Sequence, residues 1–241
     1  RLMRAELAAG HDVPHPPFLG TRIVEHVPLQ TLVTYLNEFM LFQFQWGYRR
    51  SGRDTEEWKA WAARELKPMA VDLLKRCAAD HILNPRAVYG YWLCAADGDS
   101  IVLFEPDGKT EAGRFAFPRQ RREGGLCIAD FVRTIDNPER DVIGLQVVTM
   151  GEKASEEAQR LFAANRYKDY LHLHGLSVEM AEALAEYVHA RIRAELGYGA
   201  EDDRDIARLL KQHYRGSRYS FGYPACPHIE DQKQLLALLG A

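Results

Sequence analysis

AVYGYWLCAADGDSIVLFEPDGKTEAGRFAF, Ala87 to Phe117, is the stretch on which the fold turns. Ala87–Cys94 and Ser100–Phe104 are rich in aliphatic and aromatic residues, and Asp97-Gly98 lies between them. That order reads as strand, tight turn, strand. Pro106-Asp107-Gly108 is a second turn signal, and Glu111–Phe117 reads as a third strand. Strands joined by turns this short must be antiparallel, so the centre of the chain is a meander. Beyond it, polar, Gly-rich Arg119–Gly125 reads as a loop. Cys127–Val132 and Val142–Thr149 supply further β segments.

Helical patterns lie on both sides. Thr21–Val27 reads as a short strand. From Pro28 to about Trp46 the apolar residues Leu29, Leu32, Val33, Leu36, Phe39 and Met40 recur at three- and four-residue steps. A second helix is expected over Asp54–Ala79, capped by Asp54 or Thr55, with Pro68 as a point of kinking or division. After Gly151 the spacing predicts one helix over Glu152–Leu173, stopped by Gly175. A second is capped by Ser177 and runs to Leu196, and a shorter one covers Asp202–Tyr214. The end is helical from about Ile229. Helices, a small antiparallel meander flanked by long helices, then more helices: the class is α+β. Residues 1–20, with the Pro-rich Val13–Gly20, read as an extended lead-in. Residues 21–241 read as one domain.

Composition narrows the function. The 241 residues are 46% hydrophobic, enough for a real core. A net charge of −3 argues against a general nucleic-acid binder, which needs a basic excess. No apolar run approaches the roughly 18 residues of a membrane span. The first residues, RLMRAELAAGHDVPHPP, lack the apolar centre of a secretory signal. They begin with Arg rather than Met, so a piece of a longer chain is expected. Cys77, Cys94, Cys127 and Cys226 form no C-x-x-C pair. They are read as reduced cysteines of a cytoplasmic protein, with no metal site.

Familiar catalytic motifs are missing: no G-x-S-x-G, no phosphate-binding Gly-Lys-Ser/Thr loop, no G-x-G-x-x-G after a strand, no H-E-x-x-H. His172 and His174 do not share a helix face, which makes them poor joint metal ligands. They read as cations near a helix C-terminus. Glu182, Glu186, His189 and Arg193 form one polar stripe. Such a stripe is either a solvated face or a docking face for a partner.

The densest signal is RGSRYSFGYPACP, Arg215–Pro227. Arg218 offers a planar, permanently charged fork suited to a carboxylate. Gly216 and Gly222 let a ligand lie against the backbone. Tyr219, Phe221 and Tyr223 offer flat faces, and Pro224 holds Tyr223 extended. The set suits a ligand with an amino-acid end and an aromatic ring. A loop that merely seals the core has the same composition, and chemistry alone does not separate the two.

The run R-G-x-R-x-x-x-G-Y-P-A-C-P resembles the S-adenosylmethionine-binding signature of the activation domain of cobalamin-dependent methionine synthase. PPFLGTRIVE, YLNEFMLFQFQW, LCIADFV, DVIGLQVVTMG and AEALAEYVHARIR followed by GYG resemble further segments of that family, in the same order. The resemblance covers residues 13–239. In two places the loop departs from the pattern: Tyr219 and Phe221 stand where the family has prolines.

The resemblance implies a single C-shaped domain in a larger multidomain methyltransferase of methionine biosynthesis. Its parent carries a methyl group from methyltetrahydrofolate to homocysteine through cobalamin. The activation domain binds S-adenosylmethionine over the corrin, which a neighbouring cobalamin-binding domain holds, and restores methylcobalamin after accidental oxidation. A flavodoxin-like or diflavin reductase supplies the electron. Residue by residue, Arg218 is implied to bind the methionine carboxylate, and Asn37 to lie near the amino group. Ser220 and Gly222 offer backbone contacts, and Tyr223 faces the corrin. Glu182, with Glu186 on its stripe, is implied to meet the cobalamin domain. No residue is expected to act as acid, base or nucleophile. A stand-alone corrinoid-protein activator, or a non-catalytic sensor that binds the same ligand, would share these residues.

Overall fold

The computed structural model describes residues 12–121 and 125–241. The first part of the lead-in and the middle of the Arg119–Gly125 loop lie outside them.

One strand organises the sheet. β2 (Arg86–Asp97) pairs with β1 (Gly20–Val24) along Ala87–Tyr91 and with β3 (Ser100–Phe104) along Leu93–Asp97. β5 (Asp141–Thr149) pairs with Arg86–Cys94. Since the same β2 residues bond to β1 and to β5, these two must occupy opposite edges. β4 (Glu111–Ala116) adds outside β3, with an irregularity at Leu103/Phe104. Among the described residues every pairing within this five-stranded sheet is antiparallel. Gly90 is required where β1 crosses: a Cβ there would lie 2.0 Å from the Gly20 carbonyl oxygen.

The near-continuous apolar run in β2 follows from burial on both faces. Tyr89 and Tyr91 point into a core shared with the long helices, around Leu41, Phe42, Trp46, Leu66, Leu176 and Met180. Trp92 and Cys94 point into a second core with Leu103, Phe115, Phe117, Cys226 and Leu235. Phe18 joins the first core with its ring edge-on to Tyr89 and Tyr91. The four cysteines are free and buried.

Helices depart from the sequence reading in instructive ways. The single helix expected from Pro28 to Trp46 is two pieces. α1 (Leu29–Val33) stops, the chain turns, and Asn37 Oδ1 accepts from the Met40 amide at 3.1 Å to start a π-helical segment, Met40–Gln45. An Asn side chain competing for a backbone amide breaks the helix there and begins the next. α2 (Thr55–Ala79) runs unbroken past Pro68, which sits on its exposed side. Asp54 caps it in a full capping box with Glu57.

α3 (Glu152–Ala163) ends at Asn165, which takes the left-handed φ of 58°. α4 (Tyr167–Glu195) then passes straight through Gly175 and Ser177, against the expected stop and cap. Gly175 is there for closeness: a Cβ would lie 2.8 Å from Gln45 Cβ and 3.0 Å from Trp46 Cδ1.

Cys127–Val132 is not a strand but a 3₁₀ turn, Ile128–Phe131, whose buried Asp130 accepts from Arg119 Nη1 and Nη2 at 2.5 and 2.9 Å. The helix expected over Asp202–Tyr214 shrinks to a turn at Gly199–Glu201 and α5 (Ile206–Leu209). Its acids are used elsewhere, Asp202 by Arg193 and Asp203 by Arg208. α6 (Asp231–Leu239) closes the described chain on Gly240 in the left-handed region. No helix among the described residues is long and apolar enough to cross a membrane.

Candidate functional site

The Arg215–Pro227 loop is fixed from inside. Cys226 donates its amide to the Tyr223 carbonyl and accepts from the Gly222 amide, both at 2.9 Å, which closes a tight turn over Pro224. Its thiol donates to the Ser220 carbonyl at 2.8 Å and is buried in the second core. Phe221 packs on Phe115 with ring centres 5.6 Å apart. An aromatic side chain thus anchors the loop at a position where the resemblance led us to expect proline. Gly222 has φ 96°, a conformation that disfavours any side chain. Tyr223 is left 64% exposed at the tip.

Folding brings most of the expected residues to one place. Asn37, Arg218 and Tyr223, from three separate segments, line a cleft of about 300 Å³ together with Glu182 and Glu186. Ser220 lines an adjoining, mostly apolar hollow of about 620 Å³ between α4 and β5, which shares Glu182 and Arg218 with the cleft. Gly222 lines neither, though its neighbours on both sides line one or the other. Both volumes fall in the range of small-molecule sites, roughly 300–1,000 Å³.

Arg218 is already engaged. Its Nη2 donates to Glu182 Oε2 at 3.1 Å, and its Nε lies 3.7 Å from Glu186 Oε2. The stripe on α4 is therefore not a solvated face. Glu182 is exposed, but Glu186, His189 and Arg193 are only 6%, 8% and 2% exposed. The Arg215–Pro227 loop and Tyr214 cover them, and Glu186 points inward rather than toward a partner.

Two tyrosines that the sequence reading passed over wall the cleft. Burial pushes the hydroxyls of Tyr35 and Tyr214 up, with the Glu186 charge adding to both. Both stay neutral donors. Glu179, also in the wall and 5% exposed, is raised by burial and steadied by the Gln45 amide at 3.0 Å. Tyr214 stands directly before the decorated loop, which is the signal that could have found it.

The histidines are placed differently from expectation. His172 lies near the start of α4, stacked on Trp46 at 4.4 Å, with Nε2 3.2 Å from the Tyr48 hydroxyl. Burial lowers its pKa, so it is biased to the neutral form rather than acting as a helix-end cation. His174 stacks on Tyr170 at 5.6 Å.

Residues 28–241 match the family described as vitamin B12 dependent methionine synthase, activation domain. Methionine synthase of Mycobacterium tuberculosis is 41% identical over 251 residues, covering 98% of this chain and 21% of that protein. Methionine synthase of Mycobacterium leprae is 40% identical over 242 residues, covering 95% and 20%. The crystal structure of the MetH reactivation domain bound to AdoHcy superposes with a TM-score of 0.82 at 28% identity, over 97% of this chain and 73% of that one. The chain thus spans about a fifth of the length of the two relatives. A family match that runs from the first helix to the last described residue leads to one assignment: this chain belongs to the vitamin B12 dependent methionine synthase activation domain family.

Proposed function

We propose that this chain is the reactivation module of a methionine synthase. It binds S-adenosylmethionine and holds the sulfonium methyl where a corrin carried by a neighbouring domain can take it, with an electron from a flavodoxin-like or diflavin reductase. One observation carries the reading: Asn37, Arg218 and Tyr223 converge on a single cleft that opens beside an apolar hollow. That pairing suits a ligand with a zwitterionic end and a nucleoside end. The relative with AdoHcy bound supports the same ligand class.

In this reading the Arg218 guanidinium receives the methionine carboxylate and Asn37 lies by the amino group. The nucleoside rests along the Ser220–Gly222 backbone. The bound corrin supplies the nucleophile for a methyl that its sulfonium has already activated. The residues here need only orient and exclude water, an effect worth about 7–11 kcal/mol when reacting atoms are held near contact. In the same reading Tyr223, exposed at the loop tip, faces the corrin, and Glu182, exposed at the rim, meets the neighbouring domain; their exposure supports this.

Calorimetry with S-adenosylmethionine, S-adenosylhomocysteine and adenosine tests the assignment. Both amino-acid-bearing ligands bind, adenosine binds much more weakly, and Arg218→Ala loses at least about 1.5 kcal/mol with either of the first two. Equal affinities for wild type and variant would remove Arg218 from the site.

A further inference from the structure

Behind Arg218 lies a column of alternating charge that runs into the core. Arg193 is 2% exposed. Its Nε and Nη2 clasp both oxygens of Asp202 at 2.8 and 2.7 Å. Its Nη1 lies 2.7 Å from His189 Nδ1 and 3.5 Å from Glu186 Oε1. Arginine has only donors, so Nδ1 accepts and His189 carries its proton on Nε2. The Arg193 guanidinium also lies 3.9 Å from the centre of the Tyr214 ring. Charges therefore alternate from a part-exposed turn through the core to the cleft rim: Asp202, Arg193, Glu186, Arg218, Glu182.

The column is unfinished next to the ligand fork. Glu186 Oε1 and Arg218 Nε are buried and neither has a hydrogen-bond partner among the described residues. A buried carboxyl group calls for cationic neighbours. Glu186 has one on each side, Arg193 within the core and Arg218 at the cleft. Arg193 thus acts on Arg218 by two routes. It fixes Glu186, against which the Arg218 Nε rests. It also fixes Tyr214, from which the ligand loop departs.

We infer that Arg193, clasped by Asp202 at the back of the hollow, is the positioning residue for the Arg218 fork: it sets where the guanidinium meets a ligand carboxylate. This rests on the ligand reading above. Glu186 belongs to the same device, as the link between the two arginines. The lever arm is the Asp202 turn, which lies outside the cleft.

The test compares two ligands in the full-length protein. S-adenosylhomocysteine carries the amino-acid end, whereas 5′-methylthioadenosine keeps nucleoside and thioether without it. The ratio of their dissociation constants isolates the carboxylate and ammonium contacts. Arg193→Met lowers the preference for S-adenosylhomocysteine by about tenfold or more, while affinity for 5′-methylthioadenosine moves by less than about twofold. Asp202→Asn keeps the shape, weakens the clasp and lowers the ratio in the same direction by less; it answers the question if Arg193→Met does not fold. Parallel loss of both ligands would mean the column only supports the fold, and an unchanged ratio would mean Arg218 is placed without it; either overturns the inference. If Arg218→Ala collapses the ratio while Arg193→Met and Asp202→Asn do not, the inference alone falls. If Arg218→Ala also leaves the ratio intact, the ligand reading falls and the inference with it.

Discussion

The two halves of α4 are buried alike and held by different means. Along the first half, His172, Leu173, Gly175, Leu176 and Met180 meet the π-helical segment and Trp46 in a seam with little charge. Most of its named polar atoms find partners: Trp46 Nε1 donates to the His172 carbonyl at 3.0 Å and Tyr48 bonds the His172 ring, while Gln43 Oε1 on the π-helical segment has none among the described residues. Along the second half, Glu186, His189 and Arg193 are as deeply buried, yet charge and aromatic contact hold them, and two polar atoms stay unpaired. Buried ion pairs seldom stabilise more than apolar packing would. The second half is therefore the costlier in buried charge, and its two unpaired atoms, Glu186 Oε1 and Arg218 Nε, sit beside the expected ligand. One helix thus divides two duties, with cohesion at its start and placement at its end.

Trp46→Ala breaks the comparison from the cohesive side and has the largest expected effect. Removing this 4%-exposed ring, with its stack on His172, costs about 3–5 kcal/mol in urea unfolding. A loss no greater than that of a surface substitution would show that the seam is not what holds α4. Gly175→Val is next. Its Cβ would fall inside the contact distance of Gln45 and Trp46, and overpacking of this kind costs about 1–3 kcal/mol. A more stable variant would mean the seam opens easily and Gly175 is only a weak helix former.

Glu179→Gln sharpens the boundary between the halves and has the smallest effect. Burial raises the Glu179 carboxyl above its ordinary 4.5, against the lowering effect of the Gln45 bond. The folded state then holds the proton more tightly than the unfolded chain. That contribution is fully present below the unfolded pKa and is lost as pH rises through the folded one. At neutral pH the ionised side chain is a burden. Glu179→Gln, which can still accept from Gln45, raises the melting temperature at neutral pH by up to about 2–4 °C, equivalent to no more than about 1 kcal/mol. The gain disappears in acid. A gain that persists in acid would assign the effect to packing rather than ionisation.

The sheet was legible because its signals are local. Asp97-Gly98 and Pro106-Asp107-Gly108 mark turns by their own chemistry, and Ser100–Phe104 falls where expected. Gly175 misled because a glycine demanded by a neighbour looks, in sequence, like one demanded by a helix end. Asn165 supplied the real stop and was overlooked in a polar run. The π-helical turn depends on the Asn37 side chain taking a backbone amide, which periodicity does not register. The site was half legible. Arg218, Asn37 and Tyr223 were named from the loop and the resemblance, and they do come together. The role of Arg193 was hidden because a stripe read along one helix cannot show that a later loop will cover it.

β2 has a consequence in time as well as in space. Its pairing with β3 needs only the Asp97–Ser100 turn to close, and hairpins of that kind form in about 1–10 μs. Its pairings with β1 and β5 must wait, since β1 lies before α2 in the chain and β5 lies beyond β4 and the Ile128–Phe131 turn. Non-local pairings are the slow ones. The strand that both cores depend on is thus half-clothed first on one edge, and the sheet is completed later by β5 and by β1, whose partners on β2 lie still further away in sequence. The pace at which this protein becomes competent is set less by its helices than by how soon two distant strands return to β2.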